Sequence, residues 1–205
     1  VVDAPVQKLS LDDCLTIAKG FDMVVLYTST PTLAIDIETA RRIKEVKPDI
    51  ITVLTGPHVT ILPEESLKAG QGAIDIVCRG EFDYSTKELC EGRDWAKVDG
   101  ISFIKDGTTI HTPDRPLIEN LDELPFVVPV YKRDLPIKDY VIPHFKSPYV
   151  SIYSSRGCPS RCIYCLWPQT FSGQRMRTRS PQNVFEEVKW IVDNIPEMRE
   201  LSFDD

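Results

Sequence analysis

Three of the six cysteines are grouped in one short stretch, at Cys158, Cys162 and Cys165. Thiolates are soft ligands that suit iron–sulfur clusters, zinc and Cu(I). Three thiolates can hold three corners of a cubane cluster, which leaves the fourth iron open to a small molecule. The neighbouring Arg156 and Arg161 favour the thiolate form and offset the charge of a cluster. The spacing C-x-x-x-C-x-x-C therefore predicts a 4Fe-4S cluster with one open iron.

A structural zinc site is the main alternative for this loop. Zinc in such a site usually takes four protein ligands. The fourth would have to be His144, Asp204, Asp205 or a residue outside this sequence. Zinc motifs usually carry two pairs of ligands, and the loop has no second pair. A disulfide is a weaker alternative, because cysteines grouped in this way outside small secreted proteins indicate metal or redox chemistry. The three scattered cysteines are expected to be small buried side chains.

The first ninety residues alternate short apolar runs with helical patterns. The apolar runs predict buried strands at 23–27, 50–54 and 74–78, with a strand remnant at Val1-Val2. Helical spacing and capping residues predict a helix that begins after Ser10 and further helices at 32–46, 63–69 and 84–90. Strands separated by helices of this length imply a parallel, doubly wound α/β sheet of the flavodoxin or Rossmann type.

The pattern changes after this first domain, which we place at residues 1–92. Residues 93–147 are expected to form a hairpin around Asp106-Gly107 and then an extended, Pro-rich connector. Residues 148–205 begin a second domain with a strand at 149–154, the cysteine loop, a helix opened by Ser180-Pro181 and a strand at 200–203. This order predicts the first part of a β/α barrel of the partial TIM type. The cysteine loop follows its first strand, at the end where such folds keep their active sites.

Small polar residues follow each strand of the first domain, at the edge where open α/β sheets bind ligands. Small residues there let a flat or phosphate-bearing ligand approach the backbone. Any flavodoxin-like domain, including a phospho-receiver domain, shows a similar edge, so this pattern by itself leaves the ligand open. The candidate binding residues are Thr28, Ser29 and Thr30 after the first strand, Gly56, Pro57, His58, Val59 and Thr60 after the second, and Gly80 and Glu81 after the third.

The cysteine loop resembles the signature of radical S-adenosylmethionine enzymes, with the aromatic Tyr164 directly before the last cysteine. The resemblance implies that Cys158, Cys162 and Cys165 hold the cluster, whose open iron chelates S-adenosylmethionine. One electron then yields a 5′-deoxyadenosyl radical, which abstracts hydrogen from a substrate. The resemblance also implies that Tyr164 lies near the adenine. Asp205, at the end of the second barrel strand, would face the same cofactor, although the usual Gly-Gly-Glu is absent there.

The first domain resembles the cobalamin-binding domain that precedes the barrel in one large subgroup of these enzymes. Three segments match that domain in order: Val2-Asp3-Ala4-Pro5, Gly56-Pro57-His58-Val59-Thr60 and Arg79-Gly80-Glu81. The first strand of the domain is missing on this correspondence, so we expect the sequence to be a fragment of a longer chain. The resemblance implies cobalamin across the strand ends. Because Asp-x-His-x-x-Gly is absent, we expect His58 to line the loop rather than to ligate cobalt.

Residues 165–170 and 177–180 are similar to hopanoid-biosynthesis-associated members of this subgroup. That similarity implies chemistry at an unactivated carbon, with formation of the cyclitol ether head group of bacteriohopanetetrol as the candidate reaction. Two alternatives stay open. One is a cobalamin-dependent C-methyltransferase of another substrate, and the other is a non-catalytic cobalamin- or nucleotide-binding module with a structural zinc.

The composition limits the class of partner. The chain has 205 residues, 42% of them hydrophobic and 27% charged, which is ordinary for a globular protein. The net charge of -7 argues against nucleic acid, which is bound through clustered Lys and Arg, and no apolar run is long enough for a transmembrane helix. We expect a small-molecule or lipid-linked substrate and a low-potential electron donor. We also expect a cytoplasmic location, because reduced clusters belong in a reducing compartment.

Overall fold

The computed structural model describes residues 1–170 and 173–205, which form two compact units. The sheet unit contains Leu15–Ile118 and Gly157–Arg175, and the terminal unit contains Val1–Cys14, Glu119–Arg156 and Met176–Asp205. Each unit has its own strands and its own hydrophobic core. The residues of the cysteine loop belong to the sheet unit.

The sheet unit is built on five strands in the order β1-β2-β3-β4-β5. The first three strands are parallel, with Val25 opposite Val53 and Val53 opposite Ile76. The last two strands continue the sheet as an antiparallel hairpin. The strands are Met23–Tyr27 (β1), Ile51–Thr55 (β2), Ile76–Cys78 (β3), Ile101–Lys105 (β4) and Thr108–His111 (β5).

Helices cover both faces of this sheet, because successive residues of a strand point to opposite sides. Leu54 of β2 belongs to a core with Ile37 and Leu67, whereas its neighbour Val53 belongs to a second core with Leu89. The predicted doubly wound α/β fold is therefore confirmed. The helices are α2 (Leu11–Ala18, which begins in the terminal unit), α3 (Leu33–Val46), α4 (Pro57–Ile61), α5 (Pro63–Gly70), α6 (Asp83–Cys90) and α8 (Trp167–Thr170).

Three details of the sheet unit bear on the predictions. The prediction of a buried strand at β1 is wrong for the described residues, because Val25 and Tyr27 keep 37% and 54% of their surface exposed and β1 has a paired strand on one side only. The segment Pro57–Ile61 is a short helix where the sequence suggested only a loop, since proline is favourable in a first helical turn. The hairpin is confirmed, and both Asp106 and Gly107 have the positive φ that its turn requires.

The terminal unit is built on two parallel strands, β6 (Tyr149–Ile152) and β9 (Glu200–Phe203), connected through α9 (Pro181–Asn194). Ser180 caps α9, because its hydroxyl accepts a hydrogen bond from the Asn183 amide. Two very short strands, β7 (Ser155–Arg156) and β8 (Arg177–Thr178), form an antiparallel pair. The order of strand, helix and parallel strand agrees with the predicted first part of a β/α barrel.

Two segments of the terminal unit differ from the predictions. Val1 and Val2 form no strand, and the short helix α1 (Ala4–Gln7) follows them. The Pro-rich segment is not fully extended, because it contains α7 (Val128–Asp134) with Pro129 in its first turn.

The buried face of α9 also differs from the apolar stripe that the sequence predicts. Helical spacing places Val184, Val188, Ile191 and Val192 on the buried face. Val192 is 58% exposed, so the prediction is wrong at this position, whereas Glu187 is only 1% exposed. None of the helices in the described residues is long and apolar enough to cross a membrane.

Candidate functional site

Two side-chain hydrogen bonds connect the segments that follow β1, β2 and β3, and the segment after β2 is helix α4. The Thr30 hydroxyl, after β1, lies 3.0 Å from Nδ1 of His58, after β2. The Thr60 hydroxyl accepts a hydrogen bond of 3.1 Å from the amide of Gly80, after β3. Because the three strands are parallel, their carboxyl ends share one edge of the sheet, where such folds bind ligands. Residues from all three candidate loops therefore meet at this edge.

Gly56 allows the loops after β1 and β2 to approach closely. Its φ is +114°, and a Cβ at this position would lie 2.4 Å from the carbonyl oxygen of Thr28. The carbonyl of Gly56 accepts a hydrogen bond of 2.9 Å from the Thr60 hydroxyl. No residue with a side chain fits here unless the backbone of Thr28 moves.

We expect Gly56→Ala to lower the free energy of unfolding by about 2 kcal/mol more than Gly92→Ala does. Gly92 is the matched control, because its φ is +74° but no described atom lies within 4 Å of the Cβ that it would carry. Gly92→Ala therefore measures the strain of a positive φ alone, about 1–2 kcal/mol. Urea unfolding measures both losses. Equal losses in the two variants would contradict the close approach at Thr28.

Three of the candidate residues use their side chains inside the protein. Thr28 is fully buried, and its hydroxyl donates to the carboxylate of Asp36 at 2.9 Å. Val59 is part of the hydrophobic core. Glu81 accepts a hydrogen bond of 2.8 Å from the Ile118 amide. A direct contact of these three side chains with a ligand stays a prediction. The candidates that keep part of their surface accessible are Ser29, Thr30, Pro57, Thr60 and Gly80.

His58 carries an unsatisfied polar atom. The residue is 8% exposed, and its Nδ1 is paired with Thr30, but its Nε2 has no hydrogen-bond partner in the part of the chain that the structure describes. Buried polar atoms in native proteins are nearly always paired with protein, water or a ligand. This atom and the close approach at Gly56 fit a site that receives a polar ligand.

The cysteine loop presents three free thiols. Cys158 and Cys162 are exposed, Cys165 is half-buried, and none of them is in a disulfide. Within residues 1–170 and 173–205, no three His, Cys, Asp or Glu side chains lie close enough together to hold a metal ion. The type and number of the thiols fit three corners of an iron–sulfur cluster, but the loop does not gather the sulfurs by itself.

The segment after the cysteine loop packs within the sheet unit. α8 begins two residues after Cys165 and contacts α4, the helix that carries His58. Several apolar side chains at the loop are exposed, with Ile163 at 99%, Tyr164 at 87% and Trp167 at 48%. Clustered apolar exposure of this kind marks surfaces that a ligand or another protein segment covers. The contact of Tyr164 with an adenine stays a prediction.

The scattered cysteines were expected to be buried, and only one of the three is. Cys78 has no exposed surface, and burial raises the pKa of its thiol to about 12. Cys14 is half-buried and Cys90 is exposed, so the expectation is wrong for Cys90. Cys78 is therefore a structural side chain and not a reactive one.

Asp205, at the end of β9, binds the backbone just after β6. Its Oδ1 accepts hydrogen bonds from the amides of Ser154 and Ser155 at 2.7 and 2.8 Å, and its Oδ2 accepts one from the Ser154 hydroxyl at 2.7 Å. Burial opposes ionisation, but the hydrogen bonds from Ser154 and Ser155 outweigh it and lower the pKa of Asp205. The carboxylate thus fixes the backbone from which the cysteine loop departs. Its contact with S-adenosylmethionine stays a prediction.

The stability that Asp205 contributes is expected to disappear in acid. Its folded-state pKa is lowered, so its contribution to the free energy of unfolding is complete above the unfolded-state pKa of about 3.9. That contribution is lost as the pH falls through the folded-state pKa. The urea midpoints of wild type and Asp205→Asn should therefore differ at neutral pH and converge as the pH falls below the unfolded-state pKa. A difference that stays constant over this range would contradict the role of the carboxylate.

A buried ion pair that the sequence patterns did not predict lies next to the same strand end. Nη1 of Arg179 lies 2.6 Å from Oε2 of Glu187, and their side chains are 9% and 1% exposed. The same nitrogen donates to the carbonyl of Tyr153 at 2.8 Å, so the pair connects α9 to the residue after β6. A signal was present, since Glu187 lies three residues after Val184 and four before Ile191, on the apolar face of the helix.

Residues 1–89 match the B12 binding domain family. The chain is 34% identical over 194 residues to the "Uncharacterized methyltransferase PH0819" of Pyrococcus horikoshii, covering 92% of this chain and 41% of that protein. It is 30% identical over 213 residues to an anaerobic magnesium-protoporphyrin IX monomethyl ester cyclase of Rubrivivax gelatinosus, and this match covers 93% of this chain and 35% of that protein. A hopanoid C-3 methylase of Methylococcus capsulatus is 27% identical over 165 residues, and this match covers 77% of this chain and 30% of that protein. The chain thus spans less than half the length of these relatives.

A solved structure has a similar fold. TsrM from Kitasatospora setae, a radical S-adenosylmethionine methyltransferase with cobalamin and a 4Fe-4S cluster bound, matches with a TM-score of 0.67 at 16% identity. The match covers 100% of this chain and 41% of that one. Residues 1–89 therefore match a B12 binding domain in sequence and have a doubly wound α/β fold, and the relatives of the chain include the "Cobalamin-dependent radical SAM methyltransferase TokK" of Streptomyces tokunonensis, which is 23% identical over 164 residues.

Proposed function

We propose that the protein is a cobalamin-dependent radical S-adenosylmethionine methyltransferase. One observation carries this proposal: a domain that matches the B12-binding family gathers three loops at one sheet edge and packs, through α4, against the helix that follows the C-x-x-x-C-x-x-C loop. The candidate sites of two cofactors therefore belong to one compact unit. Methyl transfer that uses both cofactors needs them close together.

Each candidate site has a defined part in this proposal. Cys158, Cys162 and Cys165 would hold a 4Fe-4S cluster, and the loops that contain Gly56 and Gly80 would accept cobalamin. When bound, the cluster supplies a low-potential electron for S-adenosylmethionine and cobalamin carries the methyl group. The residues of the chain bind and orient these groups and exclude water.

Methyl transfer is preferred over the other reactions because of the relatives. The names of the Pyrococcus and Methylococcus relatives include a methyltransferase and a methylase, whereas the Rubrivivax relative is named a cyclase. Two observations favour a hopanoid substrate, including the cyclitol ether head group. They are the short similarity at 165–170 and 177–180 and the Methylococcus relative at 27% identity. We propose a small-molecule or lipid-linked substrate and a separate low-potential electron donor.

The formation of labelled methylcobalamin tests this function without knowledge of the substrate. The protein is reconstituted anaerobically with iron and sulfide, loaded with hydroxocobalamin, reduced, and incubated with S-adenosylmethionine that carries a deuterated methyl group. The proposal expects deuterated methylcobalamin in the mass spectrum. Rearrangement predicts 5′-deoxyadenosine without labelled methylcobalamin, and a binding module with zinc predicts neither product. Bound but unlabelled cobalamin would contradict methyl transfer.

A further inference from the structure

The His58 imidazole is held at one nitrogen and unsatisfied at the other. Nδ1 lies 3.0 Å from the Thr30 hydroxyl, while Nε2 is shielded from solvent and has no partner among the described residues. A neutral imidazole has one donor and one acceptor nitrogen. The bond to Thr30 therefore satisfies half of the ring and fixes the ring plane, which leaves Nε2 in a defined position.

Packing alone does not explain a histidine at this position. The adjacent Val59 is fully buried in the core and supplies apolar contact from the same helix. A buried polar atom without a partner costs about 1–3 kcal/mol, which an apolar side chain of similar size would avoid. The domain therefore retains an unfavourable atom at the point where two of its strand-end loops meet.

The surroundings of the ring indicate what would satisfy Nε2. The ring connects the loop after β1, through Thr30, to the loop after β2, so it lies at the edge where open α/β sheets bind ligands. Nδ1 is paired with the Thr30 hydroxyl, whereas metal-bound histidines usually donate their second nitrogen to a carboxylate, a carbonyl or water. Cobalamin has amide groups and a phosphate on its periphery, and these accept hydrogen bonds.

We propose that Nε2 of His58 donates a hydrogen bond to an oxygen on the periphery of bound cobalamin, while the Thr30 hydroxyl donates to Nδ1. His58 is then a binding residue and not a ligand of cobalt. This inference rests on the proposed function, because it assumes that cobalamin is the ligand of the strand-end loops. It adds one defined contact and assigns Thr30 the role of positioning the ring.

His58→Leu tests the proposal through two measurements that move in opposite directions. The Kd for hydroxocobalamin, from an absorbance titration, is expected to rise about tenfold, because the oxygen on the cofactor loses its donor. The urea midpoint of the cofactor-free protein is expected to stay equal or rise, because a buried unpaired nitrogen is removed. His144→Leu is the matched control, since His144 is exposed and lies in the terminal unit, and both values should stay at wild type.

Thr30→Val provides a second variant that does not alter the buried ring. It removes the hydroxyl at Nδ1 with little change in shape, and we expect a smaller rise in the Kd, about threefold. If both variants fold and both keep the wild-type Kd, the proposal is overturned. If His58→Leu does not fold, a wild-type Kd in Thr30→Val overturns it. Wild type with cob(II)alamin should show no nitrogen splitting from His58 in its electron paramagnetic resonance spectrum. A splitting that is present in wild type and absent in His58→Leu would show that His58 ligates cobalt, and would overturn the proposal. If wild type binds no hydroxocobalamin, the proposed function fails instead.

Discussion

Cys162→Ala is expected to abolish both cluster binding and cleavage of S-adenosylmethionine. A cubane held by three thiolates loses one corner in this variant, and two thiolates hold a 4Fe-4S cluster less well than three. Iron after anaerobic reconstitution should fall from about four per chain to near zero. Production of 5′-deoxyadenosine should fall below detection. Cobalamin binding should persist, because the strand-end loops are unchanged.

Cys90→Ala is the matched control for this variant. Cys90 is an exposed free thiol, as Cys162 is, but it ends α6 and lies outside the loop. Its replacement should leave iron content and cleavage at wild-type values. If Cys162→Ala keeps its iron or still cleaves S-adenosylmethionine, Cys162 is not a cluster ligand. If Cys90→Ala loses iron, the exposed thiols bind iron without selectivity.

Glu187→Ala is expected to cause a large loss of stability in the terminal unit. Its carboxylate pairs with the guanidinium of Arg179 at 2.6 Å, and both side chains are buried. Removal of one partner leaves a buried charge without compensation, which typically costs about 3–5 kcal/mol. Arg179 also donates to the carbonyl of Tyr153, so the backbone before the cysteine loop should lose order. Urea unfolding measures the loss.

Glu186→Ala on the same helix is the control for the loss of charge and helix propensity. Glu186 is exposed and accepts a hydrogen bond from Gln182, so the change should cost less than about 1 kcal/mol. Glu187→Gln keeps the shape and an acceptor for Arg179, and it should lose less stability than Glu187→Ala. Equal midpoints for Glu187→Ala and Glu186→Ala would show that the ion pair does not support the unit.

Most of the sheet unit follows from local sequence patterns. The strands at β1 and β2 and the helix α3 appear within about one residue of their predicted positions. Alternating strands and helices allow few arrangements other than a parallel sheet with helices on both faces. The exposure of β1 was not predictable from its run of apolar residues, because a residue pattern does not reveal which strand lies at an edge. Similarly, Asp106-Gly107 predicts a hairpin but not the sheet that the hairpin extends.

The candidate sites were predictable to different extents. Residue types at strand ends identify loops, and the fold then brings Thr30 to His58 and Thr60 to Gly80. The inward positions of Thr28 and Glu81 depend on contacts with distant residues, which spacing does not show. The C-x-x-x-C-x-x-C spacing predicts ligands, but the position of each sulfur depends on the metal as much as on the backbone, because metal binding and folding of such a loop are coupled.

The metal and corrinoid content of the anaerobically reconstituted protein decides whether the chain holds both cofactors. We expect a brown protein with about four irons and four sulfides per chain, together with one equivalent of tightly bound cobalamin. About one zinc per chain without iron, in a colourless protein that leaves hydroxocobalamin in solution, would contradict it.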